Sequence, residues 1–525
     1  MNPFAAATEL LADLRAGKVT SSELTELYIR RIETYDTKLN AVVERDFERA
    51  RRAARAADQG GSGVLRGLPI TLKESFNVNG LPTTCGVPDW KDFVSKHDAP
   101  AWARLRAAGA VLMGKTNVPP MLADWQSANA IYGRTNNPWD LGRTPGGSSG
   151  GSAAAIAAGL SALEAGSDIG GSIRVPAAFC GVYGHRPSET LLPRSGQYPF
   201  PPMPNSAVVM GVQGPIARSA EDLELALSIL AGPDVGEDVA WRVELPAARH
   251  QRLADFRVGV LPAIPWMPLD DRIASTLADL TARLGTLGCT VKRVQPDGLV
   301  DWKDHYLLYR TLLMMMTSAR LPEERRQLYL SWYRKYDSEF SRAAARGLEA
   351  PPSEYLLWIG QRERYRAAWR AFFRDWDVLL APAFNTLAYP HVERPFPSDE
   401  SDFSLTLTIN GQEAPYMRCL VYSSVATVAG QPATAFPVGR SREGLPIGLQ
   451  AIGPYLEDRT TLRFAQLLER EWQVRSAAGI LTAAVAGCAA TRGRARPSSA
   501  RRSPASPTID CRAAAARSRR DEALL

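Results

Sequence analysis

The chain is poor in the residues that most often mark a metal or redox centre. Its 525 residues include only five histidines and six cysteines. The cysteines are scattered, at Cys85, Cys180, Cys289, Cys419, Cys488 and Cys511, and no Cys-x-x-Cys pair occurs. That spacing argues against a zinc site or a thioredoxin-type motif. Such cysteines read as small buried hydrophobes kept reduced. Long apolar runs are also missing. No window approaches the roughly 18 residues of a membrane-spanning helix. The opening stretch MNPFAAATELLADLRAGK carries acids early and has neither the basic start nor the apolar core of a secretory signal. The expected setting is cytoplasmic, with no membrane partner.

A strong charge bias is absent from most of the chain. The formal net charge is +7, but nine arginines against three acids lie from Val485 onward, so six of the seven charges sit in the tail. The nearly neutral remainder gives no reason to expect a nucleic-acid partner. The tail, residues 485–525, is made largely of Arg, Ala, Ser and Pro. It can bury too little apolar surface to order itself, so it is expected to be a disordered basic appendage to a domain spanning 1–484.

What is present is an alternation of strand-like and helix-like segments. Thr20-Ser-Ser-Glu23 has the spacing of a capping box, followed by Leu24, Leu27, Tyr28, Ile32 and Tyr35 at helical spacing. Residues 47–59 read as a second helix. Residues 68–72 form a short apolar run of strand type that ends at Lys73, and a lysine closing a buried strand is costly unless paired or neutral. Strands are expected at 109–114, 208–214, 256–261, 290–294, 377–382, 421–428, 434–438 and 446–452. Helices are expected at 153–164, 219–230, 270–287 and 459–472. This rhythm predicts an α/β fold around a mainly parallel or mixed sheet. Residues 302–376 break it with a long helical stretch full of Tyr, Trp, Arg and Met, read as a helical insertion.

The most constrained stretch is 144–187, TPGGSSGGSAAAIAAGLSALEAGSDIGGSIRVPAAFCGVYGHRP. It holds two glycine-rich loops, each presenting a serine. In Asp168-Ile-Gly-Gly-Ser-Ile-Arg174 two glycines before Ser172 let successive backbone N–H groups turn toward one point, as an oxyanion hole requires; an ordinary Gly-Gly-Ser turn fits the heptad equally well. Ser148, in Gly146-Gly-Ser-Ser-Gly-Gly151, carries the same pair of readings. No lysine follows at Walker spacing, so a phosphate cradle is disfavoured. Gly146-Gly-Ser148-Ser-Gly150 also matches the nucleophile elbow G-x-S-x-G, with His185, His250, His305 or His391 as the base. An elbow needs a buried strand before the serine, and residues 137–145 read as loop.

These motifs together resemble the amidase signature family of serine hydrolases. The likeness covers both loops and the 24-residue spacing of Ser148 and Ser172. It extends to Lys73 in GLPITLKE, to Thr135-Asn-Asn-Pro-Trp139 and to Gly444-Leu-Pro-Ile-Gly-Leu-Gln450, over roughly residues 5–473. It implies a single α/β/α domain around a large mixed sheet, with no metal and no organic cofactor. It also implies an amidase that cleaves the C–N bond of a small-molecule amide through an acyl-serine. By position, Ser172 is the nucleophile, Ser148 a serine preceded by a cis peptide, and Lys73 the base. The backbone amides of Ile169, Gly170, Gly171 and Ser172 are the oxyanion donors. Asp168 and Arg174 are expected to brace the loop. Glu74 after the lysine and His185-Arg186 before Pro187 depart from the family's usual residues. Met121, Leu122, Asp124 and Trp125, then 198–203, then the helical insertion are the expected specificity elements. Trp125, Phe200 and Met203 read either as a pocket for an apolar or aromatic acyl or amine group or as simple packing, and Asp124 as a partner for a cationic or amide group. Two other readings stand beside this one. One is the amidase component of a glutamine-dependent tRNA amidotransferase, and the other a non-catalytic binding protein on the same scaffold. A homodimer is left open.

Overall fold

The computed structural model describes residues 1–200, 209–299, 302–396 and 399–472. Expectations for Met203, for Cys488 and Cys511 and for the tail 485–525 lie outside the described residues. The local signals near the N-terminus hold. The helix Ser21–Leu39 starts at a reciprocal capping box between Thr20 and Glu23, and the helix Phe47–Gln59 has the expected limits.

Two sheets carry the site. The smaller holds β1 (Val42–Arg45), β2 (Pro69–Lys73) and β3 (Val111–Thr116) in the order β1-β3-β2, with β2 parallel to β3 and Lys73 opposite Thr116. Two-residue strands β4 (Ala128–Asn129) and β5 (Gly133–Arg134) punctuate the loop that follows. The larger sheet is built from β6 (Glu164–Asp168), β7 (Tyr183–Arg186), β8 (Val212–Ala217), β9 (Arg257–Val260), β10 (Thr290–Arg293) and β11 (Val378–Pro382). After the hairpin β12 (Thr406–Ile409) and β13 (Gln412–Pro415), it is completed by β14 (Ala433–Arg440) and β15 (Pro446–Ile452). Its order is β10-β9-β11-β15-β14-β7-β8-β6. The pairs β10/β9 and β9/β11 are parallel and the others antiparallel, so the sheet is mixed.

Both faces of the larger sheet are covered. Along β11, Val378 and Leu380 enter one hydrophobic core and Leu379 and Ala381 the other. This is the period-two alternation of a strand buried on both sides. The first core takes in the helices Asp271–Thr286 and Asp458–Trp472; the second takes in Trp302–Ser318 and Pro352–Asp375. The stretch read as a helical insertion holds four helices joined by short turns, with Glu323–Lys335 and Glu339–Glu349 between those two.

Three expectations are corrected. The helix placed at 153–164 runs instead from Gly150 to Ala157, and Glu164–Asp168 is the edge strand β6. Gly159, at φ +65°, ends the helix in the left-handed conformation that a glycine adopts freely. The strand expected at 421–428 is the helix Val421–Thr427. Its β-branched run reads as a strand, but a short apolar run surrounded by core is ambiguous between the two states. The strand expected at 208–214 is displaced to Val212–Ala217, where it pairs with both β6 and β7.

Candidate active site

Lys73 ends β2 and points at the edge of the larger sheet. Its side chain is fully buried. The Nζ atom lies 2.7 Å from Ser148 Oγ and 3.0 Å from Ser167 Oγ. Burial pulls the lysine down from its ordinary value to about 7, although Asp168, Cys85 and Glu164 oppose the shift. None of the three supplies a dedicated counter-ion. Burial lifts the Glu164 carboxyl to about 8, against the pull of the Thr71 hydroxyl 2.6 Å away. Burial likewise raises the Cys85 thiol well above its usual range. Asp168 is engaged elsewhere. A neutral amine keeps two N–H donors and one lone pair. It can donate to Ser167 while its lone pair faces Ser148.

The loop carrying Ser148 is held from below and behind. The Gly147–Ser148 peptide is cis, as the family resemblance implies. A Cβ on Gly147 would lie 2.4 Å from Gln126 O and 2.5 Å from Asp124 O, so only glycine fits. Ser127 Oγ receives the Gly150 amide at 3.0 Å, at the first turn of the helix that follows. The Ser149 amide donates to the Ser172 carbonyl at 3.1 Å, which ties the two serine loops together. No bond between the Ser148 and Ser172 hydroxyls is formed among the described residues.

Asp168, at the end of β6, organises the second loop. Its carboxylate accepts from Gly171 N at 2.8 Å and Ile173 N at 3.2 Å, and from Arg174 Nε and Nη2 at 3.0 Å each. Arg186 Nη1 donates to the Asp168 carbonyl at 2.9 Å. Burial would raise this carboxyl, but Arg174, Arg186 and the Gly171 amide together hold it well below the usual range. Arg174 continues to Ser423 O, Gln450 Oε1 and Thr427 Oγ1, fastening the loop to the helix Val421–Thr427 and to β15. Asp168 and Arg174 therefore brace the loop, as expected. Replacing Arg174 by methionine would leave a buried carboxylate with half its charge partners, at an expected cost of about 3–5 kcal/mol of stability in denaturant titrations. The carboxylate's own contribution is present above the ordinary aspartate range and is lost as the pH falls through that range toward its lower folded value.

The expected oxyanion set is narrowed by this geometry. The Gly171 N–H is taken up by Asp168. The amides of Ile169, Gly170 and Ser172 donate to no group among the described residues.

The expected specificity residues divide. Met121 and Leu122 lie half-buried in a short turn at φ +55° and +59°. Trp125 is buried, with its ring 4.8 Å from Tyr416 and 6.3 Å from Phe384. The Asp124 carboxylate is already engaged, by Arg394 at 2.9 Å, the Tyr416 hydroxyl at 2.6 Å and the Trp125 amide at 2.7 Å. That leaves it no free charge for a cationic substrate. Phe200 packs edge-on against Trp90 at 4.6 Å, beneath Arg320 at 4.5 Å.

The four histidines offered as a base are all placed away from the two serines. His185 is buried between Thr434 and Asp458, and Asp458 also holds Ser188. His250 bonds Asp377, His391 bonds the Leu141 carbonyl, and His305 is enclosed by Trp302 and Tyr365. None bonds Ser148 or Ser172, and the residues before Ser148 run as turns rather than a strand. Neither requirement of the elbow reading is met. Among the described residues no group of three or more His, Cys, Asp and Glu side chains is placed to hold a metal ion, and no helix is long and apolar enough to cross a membrane. Sequence reading missed Ser167 and Glu164. Ser167 lies one residue outside the glycine heptad, and Glu164 reads as a helix end.

The site thus places a buried amine against one serine and ties that serine's loop to a second serine on another glycine-rich loop. The amidase family model matches residues 23–462, and the chain belongs to that family. It is 32% identical over 464 residues to an indoleacetamide hydrolase of Bradyrhizobium diazoefficiens, covering 86% of this chain and 84% of that one. It is also 32% identical over 498 residues to a component of the glutamyl-tRNA(Gln) amidotransferase of a Synechococcus species, covering 88% and 95%. Among solved structures, 6-aminohexanoate cyclic dimer hydrolase superposes with a TM-score of 0.75 at 28% identity, over 92% of this chain and 100% of that one. A bacterial aryl acylamidase does so with a TM-score of 0.75 at 25% identity, over 91% and 98%. The protein is an amide-hydrolysing enzyme.

Proposed function

We propose that Lys73, Ser148 and Ser172 are the catalytic set, and that the enzyme hydrolyses a carboxylic amide bearing an aromatic or apolar group. The observation that carries this reading is the buried Lys73 amine 2.7 Å from Ser148, on a loop bonded directly to the backbone of Ser172. The neutral amine takes the Ser148 proton while Ser148 takes that of Ser172. Ser172 Oγ then attacks the amide carbonyl, and its oxygen charge faces the free amides of the second loop. The C–N bond breaks as the proton returns through Ser148 to the leaving nitrogen. Water repeats the route and releases the carboxylate. The two hydroxyls are not bonded to each other in this structure, and catalytic hydrogen bonds commonly close when substrate binds.

The aromatic preference is supported by the rings of Trp125, Phe384 and Tyr416 beside the Ser148 loop. The names indoleacetamide hydrolase and aryl acylamidase point the same way. Four buried, unbridged cysteines fit a reducing compartment, so the cytoplasm is the proposed location. The test is a panel of aryl amides, alkyl amides and glutamine given to the purified chain. Carboxylate release from an aryl or alkyl amide, with none from glutamine, is the expected result. Turnover of glutamine alone would favour the amidotransferase reading.

A further inference from the structure

The second serine loop must do two things with one short backbone. It must present N–H groups to the substrate, and it must place its carbonyls elsewhere. Asp168 secures one end of it. The peptide joining Ile169 to Gly170 is secured from a different quarter. Tyr309, on the helix Trp302–Ser318, donates its hydroxyl to the Ile169 carbonyl at 3.3 Å. The same hydroxyl lies 2.5 Å from where a Cβ on Gly170 would stand. Leu420 closes the space beside it, with methyl carbons 3.6 Å from that point.

A trans peptide is planar, with its C=O and N–H on opposite sides. Whatever holds the Ile169 oxygen therefore also aims the Gly170 hydrogen. We propose that Tyr309 is a positioning residue for the oxyanion hole, and that its hydroxyl sets the direction of the Gly170 N–H by anchoring the Ile169 carbonyl. The proposal rests on Ser172 being the nucleophile, as read above. At 3.3 Å the bond is long for an O–H···O contact, so its contribution is direction more than energy. Tyr309 is fully buried, and its hydroxyl is spent on the loop backbone. Burial pushes its phenol well above the ordinary value, so the hydroxyl remains a donor across the working pH range. The anchor comes from the helical segment 302–375, more than a hundred residues away in sequence. The placement of that segment thus sets the geometry of the hole.

Removing an oxyanion donor outright costs about 10²–10³ in kcat. Tyr309→Phe leaves the Gly170 donor in place but loosens it, so a loss of about tenfold in kcat with KM unchanged is expected. The carbonyl stretch of an arylacryloyl-serine formed on the enzyme should shift to higher frequency in Y309F, because the acyl oxygen is less well bonded. A role confined to packing would lower the melting temperature without moving that frequency. The second variant is Gly170→Ala, whose methyl meets the tyrosine hydroxyl. Its damage should be smaller in the Y309F background than in the parent. Unchanged kcat and carbonyl frequency in Y309F, or additive effects in the double variant, would overturn the proposal and leave the catalytic set standing. Full activity in Ser172→Ala, run alongside, would remove the catalytic set itself.

Discussion

Ser172→Ala is expected to abolish amide turnover, lowering kcat by about 10⁴-fold or more. In the proposed mechanism the side chain supplies the atom that bonds to the acyl carbon, and no neighbouring group would substitute for it. The fold should be almost untouched. The contact of Ser172 that matters to the loop is made by its carbonyl, which accepts the Ser149 amide and survives the substitution. The measurement is steady-state hydrolysis of an aryl amide, with intact mass after treatment with a fluorophosphonate probe. The parent should gain one adduct and the variant none. A variant that still labels, with the adduct on Ser148, would transfer the nucleophile's role to the first loop and revive the elbow reading. Parent protein that is well folded yet takes no label would favour a binding protein on this scaffold.

Lys73→Ala should be nearly as damaging, at about 10³- to 10⁴-fold, for a different reason. On the proposed mechanism the substitution leaves nucleophile and hole intact but removes the proton acceptor at the end of the relay. The accompanying signature is in pH. The base works only when neutral, and burial places its titration at about 7. For the parent, kcat/KM should therefore fall as the pH drops through about 7 and level off above it. The remaining activity of the variant should lack that limb. The same proton enters stability with a definite sign. The unfolded chain holds it up to about 10.4, so between the folded and unfolded values the unfolded state binds more protons and stability rises with pH. A parent profile that stays flat for more than a unit of pH on either side of about 7 would contradict a titrating lysine at the centre of the relay.

Much of this was legible in sequence because it is written in backbone chemistry. The glycines around Ser148 and Ser172 are a local demand, and the capping box at Thr20 is complete within four residues. Lys73 at the end of an apolar run was visible as an anomaly. Where reading failed, the deciding contact was distant. The run 421–428 is strand-like by composition, yet it is a helix whose Ser423 carbonyl and Thr427 hydroxyl are bonded by Arg174. Glu164–Asp168 became a strand because β8 offers it a ladder, which nothing in residues 153–168 announces.

The sequence by itself determined the two serine loops, the lysine and the α/β rhythm, since composition and spacing constrain φ, ψ and burial pattern over a few residues. Tertiary structure decided which groups are chemically free. It placed Ser167 and Ser148 on the Lys73 amine, closed Asp124 with Arg394 and Tyr416, took the Gly171 N–H for Asp168, and brought Tyr309 to the Ile169 carbonyl. Each of these depends on desolvation or on a partner brought in by the fold. A buried amine loses its proton, and a paired carboxylate loses its freedom to bind, only after the chain has closed around them.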